Sequence, residues 1–471
     1  MSTASQLRIR MYRQGLGDCF LVSLLRPAPA RPFHMMVDCG VILGTPNAAT
    51  RLRTVIQSII QETNGAVDVL AVTHEHYDHV AGFVLAQDLF AAPGHAEAGK
   101  LSVGEVWFAW TEDPANALAN QLRSERQSHL KALTAMSNQL RLTGAGEAAA
   151  PTLASALNFF GVAADGSGLG DTARAMGIAA GLAGPGKVKY HQPGALLSVG
   201  GAPELRIYVL GPPMDKAALM KTEGVNDTYH LDADSLAASV LTAAGGESGQ
   251  DPSGPFEPSW ALSLSGLIAG EDQGPYAPFF HANYFGPHTP STQAPDLAWR
   301  RIDGDYLAST NALALALDSA TNNTSLVMAL ELVNSGKVIL LAADAQVGNW
   351  LSWQGLTWAG TKQVTTQDLL KRTVFYKVGH HGSHNATLKA KGLEEMPASG
   401  LTAFIPVDHD MAVKKGWGQM PLPALVTALE ARCANQLVRI DQDLPESVPG
   451  VSQGGQGLQY GSLYYDWTLP L

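Results

Sequence analysis

The chain has 471 residues, a formal net charge of -11 and 15% charged residues, so it is long enough for one or two domains but has no basic surface to hold polyanions by bulk electrostatics. Its three cysteines, at positions 19, 39 and 433, give no disulfide framework, which makes a reducing compartment the default. No secretion signal is visible, and no run approaches the ~20 apolar residues of a membrane span, so we expect a cytoplasmic protein without a membrane partner.

The first part of the chain predicts three strands and a helix. The strands are expected over residues 7–12, 20–25 and 33–40. A glycine turn, Gly15-Leu16-Gly17-Asp18-Cys19, separates the first two strands, and the third strand ends in Val37-Asp38-Cys39-Gly40. Apolar residues at helical spacing between 50 and 63 then predict an amphipathic helix.

Residues 73–82 carry the strongest indication of a functional site. They follow a strand predicted over 67–72 and supply four metal-ligand side chains: His74, His76, Asp78 and His79. The two histidines at 74 and 76 fall on the same side of an extended chain, whereas Asp78 and His79 are expected on a turn, with a short helix after Gly82. Imidazole and carboxylate groups suit Zn²⁺, and two ligand groups on one short loop can hold two ions.

Two segments are predicted to be insertions. Residues 111–187 indicate a helical insertion, with a long helix over 114–142 and a second helix around 171–182. Residues 214–310 contain glycine and proline clusters and predict a long loop region. The aromatic residues of this loop region either form a lid or substrate wall, or merely fix the loop to the surface. Further strands are expected over 106–110, 194–199 and 205–213.

The last third of the chain again predicts strands that end in ligand-type residues. A hairpin over 326–344 ends in Asp344, which indicates a metal ligand because an unpaired buried carboxylate is costly. The strand over 373–379 ends in His380-His381-Gly382-Ser383-His384. The remaining predicted elements are a strand over 402–407, a helix over 422–433, a strand over 436–440 and a hairpin over 458–469.

The pattern His-x-His-x-Asp-His at 74–79 resembles the metal-binding signature of the metallo-β-lactamase superfamily. Three further pieces, Gly-x-Gly-Asp-Cys-Phe, Val-Asp-Cys-Gly and His-His-Gly-Ser, resemble the branch that contains the C-terminal domain of DNA-uptake channel proteins and the phosphorylcholine esterases. The resemblance covers residues 7–110, 190–213 and 320–445. It implies a single α/β domain over 1–471, an αββα sandwich of the metallo-β-lactamase type that carries the helical insertion and the long loop region.

The resemblance also implies two divalent metal ions, zinc or else manganese. The implied ligands are His74 and His76 on the first ion, Asp78, His79 and His381 on the second, and Asp344 bridging both. His380 then faces the substrate, although the roles of His380 and His381 could be exchanged. Asp38 either orients a ligand imidazole or only caps a turn. The family usually has one more histidine ligand, for which the unplaced candidates are His191, His230, His281 and His288.

The activity implied by the resemblance is metal-dependent hydrolysis by a metal-bound hydroxide. Asp78 would orient the nucleophile, and His380 would donate a hydrogen bond to the developing oxyanion. The substrate implied by the branch is a phosphodiester, either a small molecule or a single-stranded nucleic acid, and Lys371, Arg372 and Lys377 precede the histidine pair as candidate cations. The alternatives are an ester, thioester or lactone hydrolase on the same dinuclear site, and a non-catalytic metal-binding regulatory module.

Overall fold

Two mixed β-sheets and the helices around them make this chain a mixed α/β protein, as predicted. The computed structural model describes residues 4–142, 151–163, 165–221, 237, 240, 277–280, 303–358, 364–433, 436–443 and 457–471. The strands are β1 (Gln6–Tyr12), β2 (Phe20–Leu25), β3 (Phe33–Val37), β4 (Ala66–Ala71), β5 (Ser102–Ala109), β6 (Val188–His191), β7 (Leu196–Val199), β8 (Ala202–Gly211), β9 (Val327–Leu332), β10 (Val338–Leu341), β11 (Thr373–Lys377), β12 (Thr402–Ile405), β13 (Leu437–Arg439), β14 (Gly457–Tyr460) and β15 (Tyr464–Pro470).

The helices lie between these strands. They are α1 (Ala48–Thr63), α2 (Tyr77–Leu85), α3 (Ala117–Leu142), α4 (Pro151–Phe159), α5 (Asp171–Gly181), α6 (Lys216–Leu219), α7 (Ala277–Phe280), α8 (Asp303–Asn323), α9 (Val347–Ser352), α10 (Thr366–Lys371), α11 (His409–Lys414) and α12 (Pro423–Cys433). No helix in the described part of the chain has both the length and the apolar content that crossing a membrane requires.

The order of strands places the parallel strands of each sheet next to one another. The first sheet runs β14-β15-β1-β2-β3-β4-β5-β6 and is parallel from β3 onward. The second sheet runs β13-β12-β11-β10-β9-β8-β7 and is parallel from β13 to β10. Ligand sites in open α/β sheets lie beyond the carboxyl ends of parallel strands. We therefore expect a functional site at the carboxyl ends of β3, β4, β10 and β11.

The apolar side chains form three large clusters that relate the sheets to the helices. One cluster combines residues from both sheets, such as Val69 of β4 and Phe375 of β11, so the two sheets pack face to face. A second cluster joins the other face of the first sheet to α1, α2 and α5. A third joins the other face of the second sheet to helices that include α3, α4, α8 and α12. Each sheet thus buries both of its faces.

Several elements differ from those predicted. Helix α2 begins at Tyr77, inside the ligand motif, so Asp78 and His79 lie on its first turn rather than on a turn before a helix that starts after Gly82. The acidic side chain in that first turn is favourable beside the positive end of the helix. Strand β6 and helix α4 were not predicted. Helix α8 occupies the end of the segment 214–310, which was predicted as loop; most of that segment, with His230, His281 and His288, lies outside the described residues.

Candidate metal centre

Four parallel strands deliver the predicted ligands to one buried place. The chain leaves β3 at Asp38, β4 just before His74, β10 just before Asp344 and β11 just before the histidine pair. All six predicted metal ligands have side chains that are at most 1% exposed, as listed here: His74, His76, Asp78, His79, Asp344 and His381. Four of these residues lie within positions 74–79 after the first sheet's β4, and the packing of the two sheets brings Asp344 and His381 of the second sheet to them.

Asp38 fixes the orientation of His79. Its carboxylate oxygen Oδ2 lies 2.8 Å from Nδ1 of His79 and accepts a hydrogen bond from the Thr73 hydroxyl at 2.7 Å, while its Oδ1 accepts from the Thr73 backbone N–H at 2.8 Å. A carboxylate can only accept, so the neutral imidazole carries its proton on Nδ1. The lone pair of His79 Nε2 then faces Asp344 Oδ2 at 3.2 Å. Of the two readings of Asp38, the geometry matches the one that orients an imidazole.

His381 is held in the same way by a backbone carbonyl. Its Nδ1 lies 2.8 Å from the carbonyl oxygen of Pro406, which fixes the proton of the neutral ring on Nδ1. Its Nε2 lone pair faces Asp78 Oδ2 at 2.8 Å and Asp344 Oδ2 at 3.4 Å. Of the histidine pair, His381 is therefore the one whose Nε2 points at the carboxylates.

Two hydrogen-bond acceptors that face each other in a buried site need a proton or a cation between them. His79 Nε2, Asp78 Oδ1 and Asp344 Oδ2 are buried and have no hydrogen-bond partner within the described part of the chain. Unpartnered buried acceptors of this kind are costly unless a proton or a cation lies between them. The ligand-type atoms of Asp18, His79, Asp344 and His381 all lie within 4.8 Å of one another, and these buried residues could hold a metal ion.

Asp18 is a residue of this cluster that was not predicted as a ligand. Its Oδ2 pairs with Lys377 Nζ at 2.6 Å, and Lys377 also pairs with Asp344 Oδ1 at 2.9 Å. Asp18 lies 3.9 Å from Nδ1 of both His79 and His381, the ring edges that Asp38 and Pro406 already occupy. Asp78 lies instead beside the Nε2 edge. The sequence signal for Asp18 was its place directly after the glycine turn Gly15-Leu16-Gly17.

His74 and His76 form a second group beside this cluster. His74 Nε2 lies 3.1 Å from His76 Nδ1, and His74 Nδ1 is held by the Thr73 hydroxyl at 3.1 Å. The ring of His76 is covered by Phe159 at 5.1 Å and by Phe160 at 5.0 Å between ring centres. Helix α4 of the predicted insertion therefore contributes a wall of the centre.

His380 is also buried but makes different contacts. Its backbone N–H donates to Asp344 Oδ1 at 3.1 Å, and its Nδ1 lies 3.2 Å from the Gln346 amide nitrogen and 2.9 Å from the Ser383 hydroxyl. An amide N–H₂ can only donate, so the neutral ring of His380 carries its proton on Nε2. That Nε2 is buried and has no hydrogen-bond partner among the described residues.

Burial and the neighbouring carboxylates shift the pKa values of the imidazoles in opposite directions. Burial lowers the pKa of His76 to about 3 and that of His380 to about 4. Burial alone would also lower the pKa of His79, but the carboxylates of Asp344, Asp18, Asp38 and Asp78 together raise it well above its usual value. Lys377 balances part of this negative charge, and the carboxylates favour protons on His79 and His381, whose pKa values they raise, when no other cation is bound.

The backbone around the centre is strained and closely packed. Asp38, Ala343, His380 and His381 all have positive φ values, of 56°, 48°, 40° and 52°. Such values are uncommon for residues other than glycine and cluster at functional sites. A Cβ on Gly40 would lie 2.3 Å from the carbonyl oxygen of Asp78, so only glycine allows this loop to lie against the first turn of α2.

Other predicted residues lie elsewhere. His191 packs its ring against Trp107 on the edge strand β6, and its contacts include none of the ligands. Arg372 pairs with Glu331 at 2.6 Å. Because Lys377 is buried in the Asp18 and Asp344 pairs, it is not a free cation for a phosphate, contrary to the prediction from its position before the histidines.

No protein-family model matches the chain, and no curated protein matches it either. The geometry of the centre is thus the basis on which a function is assigned.

Proposed function

We propose that the chain is a metal-dependent hydrolase of the metallo-β-lactamase type that acts on phosphodiesters. The observation that carries this proposal is the pair of imidazoles, His79 and His381, whose Nδ1 protons are held by Asp38 and Pro406 and whose Nε2 lone pairs face carboxylate oxygens. In metal sites, the ring nitrogen that does not bind the metal donates a hydrogen bond to a carboxylate or a carbonyl, and this bond orients the histidine. The two face-to-face sheets with helices packed on their other faces support the αββα sandwich.

The donor set fits two ions, with zinc preferred for imidazole and carboxylate ligands and manganese as the alternative. The first would be held by His74 Nε2 and His76 Nδ1, whose separation of 3.1 Å is close to the roughly 3.3 Å expected between two ligands of one tetrahedral zinc. The second would be held by Asp78, His79 and His381, with Asp344 shared. When bound, such ions lower the pKa of water and polarise the substrate oxygen.

The residues of the chain supply orientation and a proton donor. Asp38 and Pro406 keep the two Nε2 lone pairs on the inner side of the centre. His380 has a buried Nε2–H without a partner among the described residues, and this group can donate a hydrogen bond to an oxygen that gains negative charge. Burial keeps this imidazole neutral, with a pKa of about 4, so the donor state persists at neutral pH.

Two of the three candidate cations that precede the histidine pair are not free to bind a substrate. Arg372 and Lys377 are both engaged in ion pairs, and the overall charge is negative. A long polyanion would find no basic path along these residues, so the phosphodiester must be bound chiefly at the centre. This favours a small phosphodiester or a short single strand.

The direct test is hydrolysis of bis(p-nitrophenyl) phosphate, single-stranded DNA and a p-nitrophenyl carboxylic ester by protein loaded with Zn²⁺ or Mn²⁺. We expect turnover of the phosphodiesters by wild type, background rates for Asp344→Asn, and wild-type rates for the matched surface change Asp443→Asn, whose carboxylate is 76% exposed. Turnover of the carboxylic ester alone would replace phosphodiesters by esters. A folded, metal-loaded protein that hydrolyses none of the three would contradict the hydrolase proposal.

A further inference from the structure

A carboxylate outside every predicted motif reaches the centre from helix α8. Oδ1 of Asp318 lies 3.8 Å from Nε2 of His76. Oδ2 of the same carboxylate accepts a hydrogen bond from the Asn322 side chain at 3.3 Å, which turns Oδ1 toward the imidazole. Both Asp318 Oδ1 and His76 Nε2 are buried atoms without a hydrogen-bond partner within the described ranges. An unpaired acceptor thus faces an unpaired ring nitrogen.

The other nitrogen of His76 decides which of the two carries the proton. His76 Nδ1 faces His74 Nε2 at 3.1 Å, and the first ion would bind between these two nitrogens. A nitrogen that binds a metal must use its lone pair, so a neutral His76 carries its proton on Nε2. The side chain of His76 is fully buried, and a buried N–H needs an acceptor. Asp318 Oδ1 is the unpartnered acceptor that lies beside it.

We propose that Asp318 is a positioning residue for the first metal site, accepting the Nε2–H of His76 and so directing Nδ1 toward His74. The inference rests on the proposed function, since it concerns how the chain holds a metal. Asp38 and Asp318 then act as counterparts. Asp38 holds His79 through Nδ1 and leaves Nε2 free, whereas Asp318 holds His76 through Nε2 and leaves Nδ1 free.

Direct ligation by Asp318 fits the geometry less well. The shortest distance between a carboxylate oxygen of Asp318 and a nitrogen of His76 is the 3.8 Å to Nε2, so Nδ1 is at least as far away. Two ligands of one tetrahedral zinc lie about 3.3 Å apart. Asp318 therefore lies beside the outer edge of the ring, and the 3.8 Å between Oδ1 and Nε2 would have to shorten to about 3 Å for the hydrogen bond to form.

The test compares wild type with Asp318→Ala, Asp318→Asn and the surface control Asp443→Asn. Zinc affinity is measured by competition with a chromophoric chelator, and the Nε2–H of His76 is observed in the side-chain ¹H–¹⁵N spectrum of the zinc-loaded protein, assigned with His76→Gln. We expect Asp318→Ala to weaken one of the two ions about 10- to 100-fold and leave the other unchanged. The His76 Nε2–H signal should be lost from this variant. Asp318→Asn keeps a carbonyl acceptor and should lose less affinity.

Three results overturn the inference. The first is an Asp318→Ala protein that binds both ions as wild type does. The second is a fall from two ions to one in both variants, which would make Asp318 a direct ligand. The third, which needs no variant to fold, is the absence of a His76 Nε2–H signal from zinc-loaded wild type. A wild type that binds no ion at all would instead overturn the proposed function.

Discussion

Three imidazoles of the centre have their Nδ1 held by a neighbouring group, which leaves Nε2 to face the inside of the centre. His79 and His381 are held at Nδ1 by Asp38 and Pro406, and His380 is held at Nδ1 by the Gln346 amide. Asp38 and Pro406 accept a hydrogen bond from the ring, whereas the Gln346 amide donates a hydrogen bond to it. The same ring is therefore oriented as a possible metal ligand in two positions and as a possible hydrogen-bond donor in the third.

Removal of the group that holds His79 should weaken metal binding without removing a ligand. Asp38→Ala deletes the acceptor for His79 Nδ1 and for Thr73, so we expect zinc affinity to fall about 10- to 100-fold, as for other partners of metal-bound histidines. Chelator competition measures this. Asp38→Asn keeps one acceptor oxygen and serves as the milder control. Unchanged affinity in a folded Asp38→Ala protein would mean that Asp38 only caps a turn.

A buried histidine away from the centre should make stability depend on pH. Burial lowers the pKa of His34 to about 4, and its Nδ1 lies 2.9 Å from the Ser23 hydroxyl. Between this value and the unfolded pKa of about 6.5 the unfolded chain binds more protons, so stability is lost as pH falls through that window. The contribution amounts to about 3 kcal/mol by pH 4. In urea unfolding at a series of pH values, the free energy of unfolding of His34→Gln should fall less with decreasing pH than that of wild type. An equal fall in both proteins would contradict the assignment.

Helix α3 is tied to the ligand loop by a buried ion pair. Arg126 of α3 binds Glu75, which sits between the two histidines of the loop, and lies 3.7 Å from Glu112. Thr172 of α5 donates to the other oxygen of Glu75 at 2.9 Å. The predicted helical insertion thus supports the ligand loop as well as covering it.

Loss of this arginine should be costly because it leaves two carboxylates buried without a cation. We expect Arg126→Ala to lower the free energy of unfolding by about 3–5 kcal/mol. The matched change Arg53→Ala removes an arginine from a pair with Asp88 that lies at the surface, where water and salt screen the charges, and should change the free energy of unfolding far less. Urea unfolding of both variants checks this, and equal effects would show that the buried pair has no special role.

The close contact between the loop after β3 and helix α2 should tolerate no side chain at Gly40. An added Cβ would lie 2.2 Å from the carbonyl carbon of Asp78, so Gly40→Ala should cost about 3 kcal/mol or more, and should also disturb the ligands. Gly177 of α5 has no heavy atom within 4 Å of an added Cβ. Gly177→Ala should therefore be neutral or stabilise by up to about 1 kcal/mol. Similar stabilities for the two variants would refute the steric argument.

The sequence predicted best the elements whose apolar residues have a clear periodicity or whose termini carry a clear signal. Strand β2 and helix α1 lie within two residues of their predicted bounds, because alternation and helical spacing report burial directly. Helix α8 was missed because Leu313, Leu315 and Leu317 alternate with alanine, a pattern typical of a strand. In the helix, Leu313 and Leu317 are buried one turn apart while Leu315 is 57% exposed.

At the scale of the whole molecule, the centre depends on the meeting of two sheets. The sequence indicated ligand-type residues at the ends of β4, β10 and β11, but distances between residues as remote as Asp78 and His381 depend on packing that no local pattern contains. The same holds for Lys377, which looked like a surface cation and is buried against Asp18 and Asp344. Asp318 was missed for the same reason, because only the packing of α8 brings it to His76.

The most direct measurement is the number of metal ions per chain. Protein stripped with a chelator, reloaded with Zn²⁺ and freed of excess metal should contain two zinc ions by elemental mass spectrometry. In a separate measurement with free Zn²⁺ kept at 100 times its Kd, the melting temperature should rise, because binding then adds about 2.7 kcal/mol for each site. The variant Asp344→Asn, in which the carboxylate shared by both sites is lost, should retain less than one ion. A folded wild type that retains no zinc or manganese would contradict the account, whatever its activity.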